Sequence, residues 1–273
     1  VNAAPWHLGR MVALDFESSD KIPETARIVT CALIGVGGGE PTASRTWLIN
    51  PGIPMNPEAI AIHRITGEYA AEHGIPAAQG VKEIAEAVAE VVRGGLPLVG
   101  HNVGGFDLNL LSHECARHGL GSLRDVCGRP LGRVIDTMVL DRHTAPFRRR
   151  VSPAQGPYQM RTTAETYGLA WDEAAAHGAE YDALAAARVA WLMGDIAHRA
   201  AEARPKWVRA LRGGGRFDDL AGLTLESLFE RQQAWHRAWA QDYQAYLRKS
   251  DADASVSGEW PLRPLAEVPG GAS

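Results

Sequence analysis

The chain lacks the features that mark several large protein classes. It has three cysteines in 273 residues, Cys31, Cys115 and Cys127. The odd count and the absence of a Cys-x-x-Cys pair exclude a disulfide framework and a zinc ribbon. Reduced thiols are expected instead, with Cys31 in a strand core. No run reaches the roughly 18 to 20 apolar residues that a membrane helix needs, so no membrane partner is expected. No basic segment followed by an apolar stretch opens the sequence, so no secretory leader is expected and the location is read as cytoplasmic. The ten histidines include no His-Glu-x-x-His or similar ligand spacing, which argues against a zinc hydrolase. Lysine occurs only at 21, 82, 206 and 249, so arginine carries nearly all the positive charge. Positive charge is also not in surplus: 28 Lys+Arg stand against 32 Asp+Glu. That balance speaks against a protein that coats duplex DNA.

What remains is ordinary for a folded protein. Hydrophobic residues at 45% and charged residues at 22% exclude a disordered or collagen-like chain. The length admits one large domain, or one domain with an appendage. Strands are expected at 11–16, 28–36 and 45–49, the last two closed by Gly37-Gly38-Gly39 and Asn50-Pro51-Gly52, as an antiparallel meander. The pattern then changes to the helical period over 81–92, followed by a short apolar run at 96–99 and a helix over 108–118. A short strand at 134–135 and helices at 160–167 and 183–193 complete an α/β domain with a mixed sheet, over residues 9–198. A helical extension is expected over 199–250, with a hinge or loop at Gly213-Gly214-Gly215. Its main helix, 224–248, carries Leu225, Leu228, Phe229, Trp235, Trp239, Tyr243 and Tyr246 along one side. Residues 251–273 are rich in Pro, Gly and Ser and read as an extended tail.

Three clusters carry chemistry. Asp15 and Glu17 alternate with Leu14 and Phe16, so both carboxylates share one face of a strand. Two carboxylates so close repel unless a cation sits between them, and oxygen-only ligands suit Mg²⁺ or Mn²⁺. A solvated strand end is the plainer alternative. His101-Asn102 opens a Gly-rich turn, able to approach a ligand closely, that ends at Asp107, at or near a helix N-terminus. An N-cap would account for Asp107 alone, but not for His-Asn before it. His177 precedes an alanine-rich helix with Asp182 in its first turns. A loop histidine beside a metal carboxylate suits general-base work near neutral pH, and an inert surface histidine is the other reading.

The order Asp15-x-Glu17, His101-Asn102 to Phe106-Asp107, then His177-x4-Asp182 resembles the DEDDh family of 3′→5′ exonucleases. Residues 61–66 (Ala-Ile-His-Arg-Ile-Thr) are similar to that family's His-Gly-Ile-Thr segment, and 134–137 (Val-Ile-Asp-Thr) to its Ile-Asp-Thr segment. The likeness spans about residues 10–195. It departs from the family at Ser18-Ser19-Asp20, where Thr-Thr-Gly is usual, and at Arg64, where the family has glycine. Asp20 puts the turn geometry in doubt, and Arg64 is read either as a phosphate contact or as a solvated side chain.

The resemblance implies an RNase H-like fold: a mixed central sheet flanked by helices, here with a C-terminal helical extension. It implies that Asp15, Glu17, Asp107 and Asp182 hold two Mg²⁺ or Mn²⁺ ions and that His177 takes a proton from the attacking water. The expected reaction releases nucleoside 5′-monophosphates from the 3′ ends of single-stranded DNA, in repair or proofreading. An oligoribonuclease-type activity on RNA is the alternative, and a catalytically silent module that binds ends or a partner is a third. Asn102 and Ser18 are candidate contacts to the terminal nucleotide, while His63 and Phe106 are candidates to flank its base. Core packing accounts equally well for Phe106. Two arginine-rich stretches could follow a single strand or simply face solvent: Arg124 to Arg161, including Arg148-Arg149-Arg150, and Arg199 to Arg216, with six basic residues against Glu202. Phe147 to Tyr158 reads as a mobile loop at the substrate entrance. The C-terminal helix is expected to pack on the domain or on a second copy as a homodimer, or to engage nucleic acid or a replication or repair partner.

Overall fold

The computed structural model describes residues 4–153, 155–211 and 215–265. Arg212, Gly213, Gly214 and residues 266–273, which include parts of the expected basic stretch, hinge and tail, lie outside the described residues. The sheet has six strands in the order β4-β3-β2-β1-β5-β6. β1 (Arg10–Ser18), β2 (Ile28–Gly37) and β3 (Ala43–Asn50) form the expected antiparallel meander. β4 (Ile75–Pro76) adds in parallel to β3, and β5 (Leu98–Gly100) and β6 (Val134–Asp136) add in parallel on the other side of β1. A mixed sheet with β1 at its centre results.

Both faces of β1 are covered, which is why its apolar run shows little alternation. Val12, Leu14 and Phe16 pack with α3 (Ala77–Arg93), α4 (Asp107–Arg117) and α5 (Leu123–Cys127). Met11 and Ala13 pack with α8 (Ala179–His198), where Ala183, Ala187 and Ala190 let the helix come close to the sheet. Asp15 and Glu17 continue the Met11–Ala13 face, so the strand delivers them under the first turn of α8. A register shift between Glu17 and Ser18 ends the regular pairing there.

Short helices fill the connections. α1 (Pro57–His63) and α2 (Gly67–His73) start from side-chain caps: Asn56 accepts from the Glu58 N–H, and Thr66 from the Tyr69 N–H. α6 (Thr137–Thr144) follows β6 directly, with Asp136 as its N-cap, and α7 (Met160–Thr166) precedes α8. A one-turn helix, α9 (Lys206–Arg209), leads to α10 (Leu225–Leu247), which begins with a capping box between Thr224 and Ser227.

The extension packs against β6 and α6. The inward line of α10 is Leu228, Gln232, His236 and Ala240. Leu225, Leu228, Phe229 and Trp235 of the stripe pack on the domain, one of the expected outcomes, whereas Tyr243 and Tyr246 are exposed. Gln232 lies inward for a polar reason. The Gln232 carbonyl accepts from the Asp136 N–H at 2.8 Å, and its amide donates to the Val134 carbonyl at 2.8 Å, so one side chain satisfies the outer edge of β6. Residues 251–265 of the tail hold no helix or strand, and they fold back onto the domain. Trp260 is 4% exposed, and the Arg263 N–H donates to Asn109 Oδ1 at 2.8 Å.

Candidate active site

One oxygen from each of Asp15, Glu17 and Asp182 lies within 4.8 Å of the other two. Asp107, buried at the start of α4, does not complete that cluster. Its Oδ1 accepts from the Phe16 N–H at 3.0 Å, which locks it against β1 beside the other three. The electrostatics follow from the crowding. Burial, then Asp107, Glu17 and Asp182, pushes Asp15 well above the carboxylate range. Burial, Asp182 and Asp107 raise Glu17 to about 8. Asp107 is also raised, mainly by burial, with backbone N–H groups pulling it back. Asp182 rises to about 6 through burial, opposed by His177.

Four acids forced toward protonation describe a site that wants positive charge. Asp182 Oδ1 is buried with no hydrogen-bond partner among the described residues, a free lone pair at the cluster. Every candidate ligand is a carboxylate oxygen. The set therefore fits a hard divalent cation.

Glu17, His63 and His177 line one groove of about 490 Å³. His177 is exposed on the loop before α8, in the left-handed backbone region at φ 63°. A histidine seldom holds that conformation, and here it places the side chain beside the acidic cluster. His63 ends α1 and is buried. Its Nδ1 accepts from the Ile65 N–H at 3.1 Å, and burial lowers its pKa, so it stands neutral in the groove wall.

The remaining expected contacts separate. Ser18 donates to the Asp20 carbonyl at 2.7 Å, and Asp20 Oδ1 accepts from the Lys21 N–H at 2.6 Å, so this turn closes on itself without glycine. Phe106 is partly buried against the core above α4. Asn102 is left-handed at φ 63°, and its N–H donates to Asp136 Oδ1 at 2.9 Å. The glycines of this turn serve packing. A Cβ on Gly104 would run into the Trp260 indole, and one on Gly105 into the Asn102 side chain. His101 is half-buried, and desolvation pushes its pKa down to about 4. Its Nε2 meets the Tyr158 carbonyl at 2.9 Å and its Nδ1 the Thr137 hydroxyl at 2.9 Å. Because a carbonyl can only accept, Nε2 carries the proton.

The expected mobile loop at 147–158 is tied at Arg148 and Tyr158, while Phe147 and Val151 stand exposed. Arg148 pairs with buried Asp141, the Tyr158 hydroxyl donates to the Ala145 carbonyl at 3.1 Å, and Tyr158 meets His101.

Two supporting residues went unassigned in the sequence. Asp136 accepts from the N–H groups of Asn102, Gly104 and Met138 and from the Trp260 indole, so it holds the 101–104 turn in shape. The 134–137 segment pointed to its position but not to that role. Glu114, fully buried on α4, accepts from the Ile28 N–H and pairs with Arg27 and Arg117. Nothing in its sequence context sets it apart from a surface glutamate.

No curated protein sequence matches the chain. Solved structures do match in fold. E. coli Exonuclease I in complex with a dT13 oligonucleotide is 16% identical with a TM-score of 0.56, covering 68% of this chain and 41% of its own. A moderately thermophilic Exonuclease I from Methylocaldum szegediense is 23% identical with a TM-score of 0.56, covering 74% and 43%. An ExoI/SSB-Ct complex is 15% identical with a TM-score of 0.56, covering 84% and 44%. The chain thus spans less than half the length of the structures it matches. Their shared RNase H-like architecture is the mixed sheet described above. Among the described residues, no helix is long and apolar enough to cross a membrane. The family model described as Exonuclease matches residues 11–190, the stretch that holds all four carboxylates and His177. This chain belongs to that exonuclease family.

Proposed function

We propose that the chain is a metal-dependent 3′→5′ exonuclease that releases nucleoside 5′-monophosphates from single-stranded DNA ends. The observation that carries this reading is the Asp15–Glu17–Asp182 cluster, whose Glu17 lines the same groove as the exposed His177. Asp15, Glu17, Asp107 and Asp182 are the proposed ligands, for Mg²⁺ or Mn²⁺. When bound, such ions would supply Lewis-acid stabilisation of the charge that develops in the displacement. His177 accepts the proton of the attacking water on its imidazole. His63 offers a neutral ring in the groove wall to the terminal base. Asn102, on the turn held by Asp136, and Ser18, once its bond to Asp20 opens, are the remaining contacts. Phe106 supports them from the core side. We assign residues 9–198 as the catalytic unit, with 199–250 and the tail bracing it through Gln232 and Trp260. Complexes of Exonuclease I with oligonucleotides among the structural relatives agree with a single-stranded DNA substrate.

End-labelled single-stranded DNA and RNA, incubated with Mg²⁺, Mn²⁺ or EDTA, test this. Shortening of DNA from its 3′ end that stops in EDTA is expected. Preferential shortening of RNA would move the substrate to the exoribonuclease class. No shortening of either would leave the fold as a binding module.

A further inference from the structure

A second cavity, of about 550 Å³, lies between α6, the 145–158 loop and the outer edge of α10. Tyr158 lines it, and the Tyr158 carbonyl meets His101 Nε2 at 2.9 Å, at the start of the turn that leads to Asp107. Arg142, Arg148 and Arg216 face it, with Asp242 as the one acid in its lining among the described residues.

Two features mark it as a ligand site. The Arg148 side chain is 10% exposed, and one of its amino groups is engaged with Asp141 and Thr163. Its Nε and Nη1 are buried with no acceptor among the described residues. Unpaired donors on a buried cation are costly, and an anionic oxygen in the cavity would satisfy them. The second feature is a run of aligned rings. The Arg142 guanidinium lies 3.8 Å over Trp239. Trp239 stacks with Tyr243 at 5.3 Å and 17°, and Tyr243 with Tyr246 at 6.3 Å and 13°. The outer two rings are open to solvent, at 42% and 63% exposure.

We propose that this cavity holds the single strand upstream of its 3′ end, with bases stacked on Tyr243 and Tyr246 and a phosphate at Arg148. Flat faces beside guanidinium donors match the alternation of base and phosphate in a single strand. An acidic peptide would use the arginines but leave the rings unmatched. A second copy of the chain would set arginine against arginine. The proposal rests on the exonuclease reading for its direction along the strand, but binding itself needs neither metal nor turnover.

The test is fluorescence anisotropy of labelled single-stranded DNA in EDTA, with the Tyr243→Ala/Tyr246→Ala double variant and its Tyr→Phe counterpart. Loss of two stacking rings weakens binding by roughly tenfold or more, and the Phe variant binds as wild type does. In Mg²⁺, the ratio of kcat/KM for a long oligonucleotide to that for a dinucleotide falls by a similar factor in the Ala variant and returns with Phe. Wild type that shortens strands while the Ala variant matches it in both assays overturns the cavity assignment. Wild type that binds strands but shortens none overturns the exonuclease reading and leaves the cavity standing. A wild-type dimer that the Ala variant dissolves, or an oligoglutamate peptide bound as tightly as the strand, would also overturn the proposal.

Discussion

The two cavities are nearly equal in size, about 490 and 550 Å³, and opposite in chemistry. The catalytic groove draws its charge from carboxylates brought together by β1, α4 and α8. The other draws arginines from α6 and the following loop and rings from α10. A phosphate polymer is repelled by the first unless cations intervene, and it is attracted by the second with nothing added. The comparison teaches that net charge is the wrong scale for this protein. A balance of −4 over the whole chain conceals one region that needs metal to meet an anion and one that does not.

The sharpest way to break this division is to remove the metal requirement's source. Asp15→Ala and His177→Ala each reduce turnover of single-stranded DNA, by about a thousandfold or more for Asp15 and by roughly 10² to 10⁴ for His177. Strand binding in EDTA stays at the wild-type level in both, because Tyr243, Tyr246 and Arg148 are untouched. Turnover is measured with saturating Mg²⁺, and binding by anisotropy. A binding loss that tracks the activity loss would show that the cavities are not separate.

The acidic groove also carries a pH signature of its own. The Glu17 carboxyl is raised to about 8 in the folded protein, while the unfolded chain holds it in the usual carboxylate range. Between about pH 5 and about pH 8 the folded state keeps a proton that the unfolded state has lost, so metal-free stability declines as pH rises through that window and then levels off. Glu17→Gln removes the penalty, on the order of a few kcal/mol, and flattens the decline. Adding Mg²⁺ stabilises wild type most at the alkaline end, where protons no longer compete for the oxygens. Thermal melts in EDTA and in Mg²⁺ across the window read both effects. A wild-type decline that persists unchanged in the Gln variant would place its source elsewhere.

The acidic half was legible in the sequence, and the basic half was legible only in pieces. Asp15, Glu17, Asp107, His177 and Asp182 stand out because chemistry fixes their types and chain order fixes their spacing. The meander, α3, α4 and α8 were readable from long apolar periods. α1, α2, α5 and α6 were not, because helices of five to eight residues hold few turns, and of that length only α7 was read, at 160–167. Their caps, Asn56-Pro57 and Ser122 with Asp125, were present in the sequence as the available signal. In α10 the apolar stripe from Leu225 to Trp235 marked the packed side, but Gln232 was missed, because it is inward for its hydrogen bonds and not for its hydrophobicity. Trp260 was hidden by a Pro- and Gly-containing neighbourhood, since composition cannot show one indole seated against Gly104.

Gln232 therefore offers an intermediate test, of the brace between the two regions. Gln232→Ala leaves the Asp136 N–H and the Val134 carbonyl without partners inside the protein. The expected cost is about 1–3 kcal/mol, read as a lower urea midpoint. Asp136 also holds the Asn102 turn, so a rise in KM should accompany the loss of stability. Unchanged stability would mean that water replaces the glutamine at the edge of β6.

The smallest effect concerns Arg64, one of the departures from the family pattern and the residue that closes α1 on the catalytic side. It is left-handed at φ 62°, and its N–H caps the helix by donating to the Ile60 carbonyl. Glycine adopts that conformation freely, whereas arginine pays a steric penalty of about 1 kcal/mol. Arg64→Gly also loosens the unfolded chain, which offsets part of the gain, so the net stabilisation should stay below about 1 kcal/mol. Its value lies in what happens to activity. If arginine is kept at this strained position to meet phosphate entering the acidic groove, Arg64→Gly raises KM for single-stranded DNA and lessens its salt dependence while the melting temperature rises. If KM stays fixed, Arg64 is a solvated cap, and the positive charge that receives the strand lies with the arginines of the second cavity.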